Sequence, residues 1–328
     1  MGGHAGHPVR APNCSLLLLA TRGLDVAPWL EAFAARLPGR QVVTPGDDFD
    51  PAAIRYVVSW QHAAGSLVGL PNLEAIFSLG AGVDHIFADP ALPHVPVVRV
   101  VDPDLRDRMS EWVLLHVLLH HRQQRMYDWQ QYEKIWDDDA LQPAAKDVRV
   151  GVMGLGVLGA DAATKLALIG FDVAGWSRTR KQLASITCFA GAAECDDFLA
   201  RTDILVALLP LTPQTRGILD AALFAKLARD GRLGGPILIN AGRGRLQVES
   251  DILVALDDGI LKAATLDVFE TEPLPKASPL WSHPRVTVTP HNAAISEPDA
   301  VVGFIAGQIA AYERGEKLMH VVDPVRQY

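Results

Sequence analysis

The chain has 328 residues, 49% of them hydrophobic, and a formal net charge of −8. That length and apolar content suffice for one or two full cores, and the negative balance argues against a nucleic-acid partner held through its phosphates. The three cysteines, Cys14, Cys188 and Cys195, have neither metal-ligand nor C-x-x-C spacing, so reduced thiols, no metal site and a cytoplasmic location are expected.

Residues 1–13, rich in Gly, His and Pro, read as a disordered leader, with His4 and His7 as tail residues rather than ligands. The first apolar run, residues 16–20, is too short for a signal peptide or a membrane span and reads as a strand. A helix is expected over residues 27–37, a second strand over 56–59 ending at Trp60-Gln61-His62, a third over 73–79, and a fourth over 97–101. The third ends in Gly80-Ala81-Gly82-Val83-Asp84, which is either an anion-binding nest of backbone amides or an ordinary strand-to-helix turn. This alternation predicts a small α/β domain.

Ser110 is expected to cap a long helix running to about Met126, with Trp112, Leu115, Leu119 and Met126 on its buried face. A helix of that length suits a connector between domains. His116, His120 and His121 on it read as structural or solvated. Residues 127–139 are polar but carry Trp129, Tyr132 and Trp136, a pattern that suggests a partner surface, such as a second subunit.

Val148 to Met153 is alternating and then continuously apolar and runs into Gly154-Leu155-Gly156-Val157-Leu158-Gly159, followed by small apolar residues at helical spacing. A G-x-G-x-x-G between a strand and a helix predicts a dinucleotide site. Gly154 allows the turn, Gly156 lets a pyrophosphate approach the backbone, and Gly159 lets helix and strand pack closely. Free N–H groups at the helix start favour the phosphate charge. The next strand, residues 171–176, ends in Ser177-Arg178-Thr179-Arg180-Lys181, where an NAD site would carry a carboxylate for the ribose. Three cations and no carboxylate favour a 2′-phosphate, hence NADP(H) over NAD(H), although NAD(H) use stays possible.

Further apolar strands are expected at residues 203–209, closing on Pro210; at 236–240, closing on Ala241-Gly242-Arg243-Gly244; at 263–266, leading to Asp267; and at 286–289, leading to Pro290-His291. A last helix spans 301–312. The fold class is therefore α/β, with doubly wound parallel sheets. Arg243, Glu272 and His291 follow strand ends. A nicotinamide reaction needs a proton partner near neutrality, and histidine suits it. A carboxylate on that histidine fixes its tautomer and stabilises the imidazolium, and an arginine fork binds a substrate carboxylate.

These residues lie in Asn240-Ala241-Gly242-Arg243-Gly244, in Leu266-Asp267-Val268-Phe269-Glu270-Thr271-Glu272-Pro273-Leu274 and in Thr289-Pro290-His291-Asn292-Ala293-Ala294. With Gly80–Asp84 and the glycine fingerprint, in that order, the chain resembles the D-2-hydroxyacid dehydrogenases along nearly all its length after the leader. Trp176–Lys181, Ser278–Val286 and the Arg326-Gln327-Tyr328 tail are similar to the glyoxylate/hydroxypyruvate reductase A branch. The resemblance implies two Rossmann-like domains hinged around a cleft, a flavodoxin-like substrate domain (14–108 and 295–328) and an NAD(P)-binding domain (109–294). It also implies a homodimer through the cofactor domain, with Trp136 reaching the neighbouring active site.

It implies these roles: Arg243 on the 2-keto acid, His291 as proton donor, and Glu272 as its partner. Trp60, Ala81 and Gly82 would contact substrate. Gly154, Gly156, Val157, Leu158, Gly159, Ser177, Arg178, Arg180, Leu209, Pro210, Ala241, Asp267 and Ala293 would contact cofactor, Asp267 at the nicotinamide carboxamide. The implied reaction is NADPH-dependent reduction of glyoxylate to glycolate or hydroxypyruvate to D-glycerate. Residues 61–65 and 105–109 depart from the branch pattern, so Arg106 or Arg108 either favours a second negative group on the substrate or is solvated. The alternatives are an NAD-linked dehydrogenase of another 2-hydroxy acid, such as 3-phosphoglycerate, and a non-catalytic nucleotide sensor on the same fold.

Overall fold

The computed structural model describes residues 16–138 and 142–328. The expected leader, Cys14 and Asp139 lie outside them. The chain divides into two compact units, Met1–Asp102 with Ser296–Tyr328, and Pro103–Ile295. Elements are numbered in chain order through both.

Unit 1 holds a five-stranded parallel sheet of β1 (Leu16–Thr21), β2 (Val42–Val43), β3 (Ile54–Trp60), β4 (Ala75–Ser78) and β5 (Val97–Val98), in the order β2-β1-β3-β4-β5. Both faces are covered, which is why β4 is buried throughout rather than alternating. On one face Phe33 of α1 (Ala27–Arg36) and Val301, Ile305 and Ile309 of α9 (Pro298–Glu313) pack on Leu17, Tyr56 and Phe77. On the other, Ile86 of α2 (Asp84–Phe87) joins Leu67 over Val57 and Ile76. Glu297 caps α9 by accepting from the Ala300 amide, and Pro298 opens it. The strand order reverses between β1 and β3, so the C-terminal end of β3, Trp60, stands at a topological switch point, where α/β sheets bind ligands.

Unit 2 holds seven parallel strands: β6 (Arg149–Met153), β7 (Asp172–Ser177), β8 (Thr187–Ala190), β9 (Ile204–Ala207), β10 (Ile237–Asn240), β11 (Ala263–Leu266) and β12 (Val286–Val288). Their order, β12-β11-β10-β9-β6-β7-β8, reverses between β6 and β9, which puts the glycine turn after β6 at this unit's switch point. Met109, Trp112 and Val113 of α3 (Pro103–His121) and Ala162 and Leu166 of α5 (Val157–Ile169) cover one face. Phe198 of α6 (Cys195–Ala200), Phe224 of α7 (Ala221–Phe224) and Ile252 and Leu256 of α8 (Glu249–Asp257) cover the other.

The structure corrects the reading of α3. The helix starts at Pro103, and Ser110 lies buried inside it, its hydroxyl donating to Asp161 of α5. Leu115 is exposed, and the buried face runs through Leu105, Met109, Trp112, Val113, His116, Val117 and His121. Nor does the helix reach Met126: Gln123, at φ 53°, separates it from α4 (Gln124–Glu133). The three histidines are structural. His116 packs on the Trp112 ring, a ring nitrogen of His120 lies 2.8 Å from Thr265 Oγ1, and His121 donates to the Pro143 carbonyl. Among the described residues no helix is long and apolar enough to cross a membrane, and no cluster of three His, Cys, Asp or Glu side chains suits a metal ion.

Candidate active site

The glycine turn shows why its residues are what they are. Gly154 has φ 115°, and a Cβ there would stand 2.7 Å from the Leu208 carbonyl oxygen. A Cβ on Gly159 would stand 1.9 Å from the Gly154 oxygen, so α5 can approach β6 only with glycine there. At Gly156 nothing lies within 4 Å of the Cβ position, so packing does not require glycine, whereas a close-lying ligand would. Gly156 also precedes the first turn of α5, which no side chain caps. An open, uncapped helix start of 13 residues fits a pyrophosphate. Ser177 ends β7, beside β6, and Arg178 follows it, exposed. Arg180 is already engaged by Glu194 and the Cys188 carbonyl, and the Ser177 hydroxyl donates to the Thr179 carbonyl.

The remaining cofactor candidates of unit 2 follow the C-terminal ends of neighbouring strands: Leu209 and Pro210 after β9, Ala241 after β10, Asp267 after β11, Ala293 after β12. Arg243, Glu272 and His291 lie on the same edge. Buried Asn240 shapes the Arg243 loop: its Oδ1 accepts from the Gly242 amide, and its Nδ2 donates to the Arg243 carbonyl and to Gln247. Gln247 in turn donates to the Val268 carbonyl, which links this loop to the one carrying Glu272. Arg243 Nη1 donates to the Gly242 carbonyl.

His291 Nδ1 lies 2.7 Å from Glu272 Oε2, and Glu272 Oε1 accepts from the Phe269 amide at 3.0 Å. Burial alone would raise the Glu272 carboxyl, but the His291 hydrogen bond, the Phe269 amide and the nearby Arg243 charge outweigh it and hold the carboxyl below its usual value. Glu272 is thus ionised near neutrality. With Nδ1 tied to it, Nε2 of His291 is the atom that can exchange a proton with a ligand.

Asp267 is nearly fully buried. Its Oδ1 accepts from the Thr289 hydroxyl (2.6 Å) and the Asn292 amide, its Oδ2 from the Ala293 amide, and its carbonyl from the His291 amide. One carboxylate thus pins the turn that presents His291 at φ 51°. Thr289 and Asn292 were not singled out from the sequence, although the spacing of Asp267 and Thr289 at adjacent strand ends was available as a signal.

In unit 1, Trp60 ends β3, and Ala81 and Gly82 sit in the turn after β4, partly exposed. The Ser78 hydroxyl donates to the Gly82 carbonyl and accepts from the Gly80 amide, which tightens that turn. Residues 105–109 are part of α3. Arg106 pairs with Asp107 and Asp161, and Arg108 with Asp104.

Residues 114–293 match the description "D-isomer specific 2-hydroxyacid dehydrogenase, NAD binding domain". The chain belongs to the D-isomer specific 2-hydroxyacid dehydrogenase family. Among its relatives is the glyoxylate/hydroxypyruvate reductase A of Serratia proteamaculans, 43% identical over 309 residues, covering 92% of this chain and 96% of that protein. Two solved members of the family superpose on it. An NADPH-dependent glyoxylate/hydroxypyruvate reductase from Sinorhizobium meliloti, in complex with NADP and sulfate, gives a TM-score of 0.91 at 49% identity, covering 96% of this chain and 100% of the other. A probable 2-hydroxyacid dehydrogenase from Rhizobium etli, in complex with NADP, HEPES and L(+)-tartaric acid, gives 0.90 at 45% identity with the same coverage.

Proposed function

We propose that this 2-hydroxyacid dehydrogenase reduces small 2-keto acids, glyoxylate and hydroxypyruvate first, with NADPH. The observation that carries the reading is the His291–Glu272 pair at 2.7 Å, on the same sheet edge as Arg243 and the glycine turn. Arg243 binds the substrate carboxylate and polarises the adjacent carbonyl. His291 gives its Nε2 proton to the carbonyl oxygen, and ionised Glu272 stabilises the imidazolium that carries that proton. When bound, NADPH supplies the hydride that adds to the carbonyl carbon. The keto acid thereby gains a hydride and a proton and leaves as a 2-hydroxy acid. The turn at Gly154–Gly159 and the start of α5 hold the pyrophosphate, and Ser177 and Arg178 take the 2′-phosphate, with Arg180 bracing their loop. Trp60, Ala81 and Gly82 contact the substrate, so unit 1 is the substrate domain and unit 2 the cofactor domain.

The same reading includes a cytoplasmic location and a homodimer through unit 2. Trp129, Tyr132 and Trp136 on and after α4 are 56%, 82% and 101% exposed, a patch of the kind that dimer contacts cover. A sedimentation mass of a single chain would remove the dimer.

The experiment is a set of initial rates with glyoxylate, hydroxypyruvate, pyruvate and oxaloacetate, each with NADPH and with NADH. Fast NADPH oxidation with the first two acids is the expected result. Turnover with NADH alone would overturn the cofactor assignment, and no turnover with any acid would favour a nucleotide-sensing role.

A further inference from the structure

Directly after Trp60, unit 1 contains a buried polar relay that the reading above does not use. Ser59 Oγ lies 2.7 Å from His62 Nδ1, and His62 Nε2 lies 3.1 Å from Asp89 Oδ2. The side chains of His62 and Asp89 are 1% and 2% exposed. Asp89 also accepts from the Gly65 and Ala91 amides, each at 2.9 Å. An ionised carboxylate can only accept, so His62 Nε2 carries the hydrogen. The other ring nitrogen, Nδ1, is held against the Ser59 hydroxyl. Burial alone would raise the Asp89 carboxyl, but the two amides and His62 outweigh it and hold it below its usual value. These are the residue types of a hydrolytic triad. Ser59 is fully buried, however, so no substrate reaches its hydroxyl and the nucleophilic reading fails.

What the relay does follows from what it joins. Ser59 is the residue before Trp60 in β3, His62 and Gly65 lie in the loop that leaves that strand, and Asp89 follows α2. The loop turns through Gln61 at φ 52° and Gly65 at φ 75°. Positive φ at Gln61 is unfavourable for a side-chain-bearing residue and needs support from its surroundings. The relay supplies it one residue later. The Gln61 amide donates to His85 Nδ1, and the His85 ring packs edge-on against Trp60, with centroids 4.9 Å apart. On the Gly80 side, a Cβ would stand 2.9 Å from the Trp60 ring. The Trp60 indole is thus bracketed by His85, which the Gln61 amide of this loop engages, and by Gly80 of the turn after β4.

We propose that His62 and Asp89 are positioning residues for substrate recognition: they fix residues 61–65 and through them the Trp60 indole. This rests on the reading of Trp60 as a substrate contact. The relay acts on substrate affinity and not on the proton or hydride chemistry, which belongs to residues of unit 2.

The test compares His62→Ala, His62→Gln, Asp89→Asn and Trp60→Ala in the full chain. It measures KM and kcat for glyoxylate, KM for NADPH, and amide hydrogen exchange over residues 61–66. His62→Ala and Asp89→Asn are expected to raise the glyoxylate KM about tenfold, with kcat and the NADPH KM within about twofold of the parent. Exchange over 61–66 quickens. His62→Gln, which keeps one acceptor and one donor, recovers part of the loss and guards against a variant that fails to fold. Trp60→Ala raising the glyoxylate KM while His62→Ala does not, despite faster exchange in the loop, overturns the proposal and leaves the Trp60 reading standing. Trp60→Ala leaving that KM unchanged overturns the Trp60 reading and the proposal with it. Equal loss in kcat and in both KM values assigns the relay to general stability and also overturns the proposal.

Discussion

His291 holds φ 51°, a backbone state that costs a residue with a side chain on the order of 1–3 kcal/mol. The contacts that hold it there are its own amide on the Asp267 and Thr289 carbonyls and its ring on Glu272. The strain therefore sits at the proposed proton donor and is over-determined by the contacts of Asp267 and Glu272. At this scale the shared edge of Arg243, Glu272 and His291 was legible in the sequence because each follows a strand end in a parallel fold, and the structure brings Glu272 and His291 into contact. The grip of Asp267 on the turn could not, because which amides a carboxylate accepts from is a property of the folded loop. Arg180 shows the same limit: its type suggested a phosphate contact, while its position engages Glu194. In the proposed function Arg178 is the side chain on which the cofactor preference turns. Arg178→Ala should raise the NADPH KM by about 10- to 100-fold, the worth of a lost charge-assisted hydrogen bond, and leave the NADH KM nearly unchanged. Initial rates with both cofactors read this directly, and an equal effect on the two would contradict it.

Among the elements, α3 was the least legible. Ser110 is a common capping residue, so it drew the helix start, but Asp102-Pro103-Asp104 is the stronger signal, with proline in the first turn and an acid beside it. Strands β2 and β8 went unread for different reasons. One has two residues, and the other, Thr187–Ala190, lies at a sheet edge and is only partly buried. Packing of α3 on β11 carries a pH signature. Burial, then the charges of His116, Arg125 and Lys262, depress His120 from 6.5 to about 4. The native state thus keeps His120 neutral while the unfolded chain takes up a proton below pH 6.5. The stability linked to this group is fully present above pH 6.5 and is lost as pH falls toward about 4. By pH 5 the loss is about 1–2 kcal/mol. His120→Gln, which can still bond Thr265, should lose that much less stability than the parent between pH 7 and pH 5 in urea unfolding. Identical losses would show that His120 does not titrate with folding.

Over the whole molecule, the two parallel sheets were legible because every long strand is an apolar run closing on polar or glycine-rich residues, and such runs alternate with helices. The strand orders were not. They decide which turns stand at a switch point, and they single out the Trp60 end of β3 in one unit and the glycine turn in the other. The proposed function therefore places chemistry and recognition in different units. Glu272 and His291, the proposed proton-handling pair, are both in unit 2, while the bracketed Trp60 is in unit 1.

The most direct test of this account is His291→Ala, assayed for glyoxylate reduction and for NADPH binding by fluorescence titration. The expected result is a fall in kcat of about 10²- to 10⁴-fold, the usual worth of a general acid, with NADPH binding unchanged. Near-parental turnover in that variant would contradict the assignment of His291 as the proton donor.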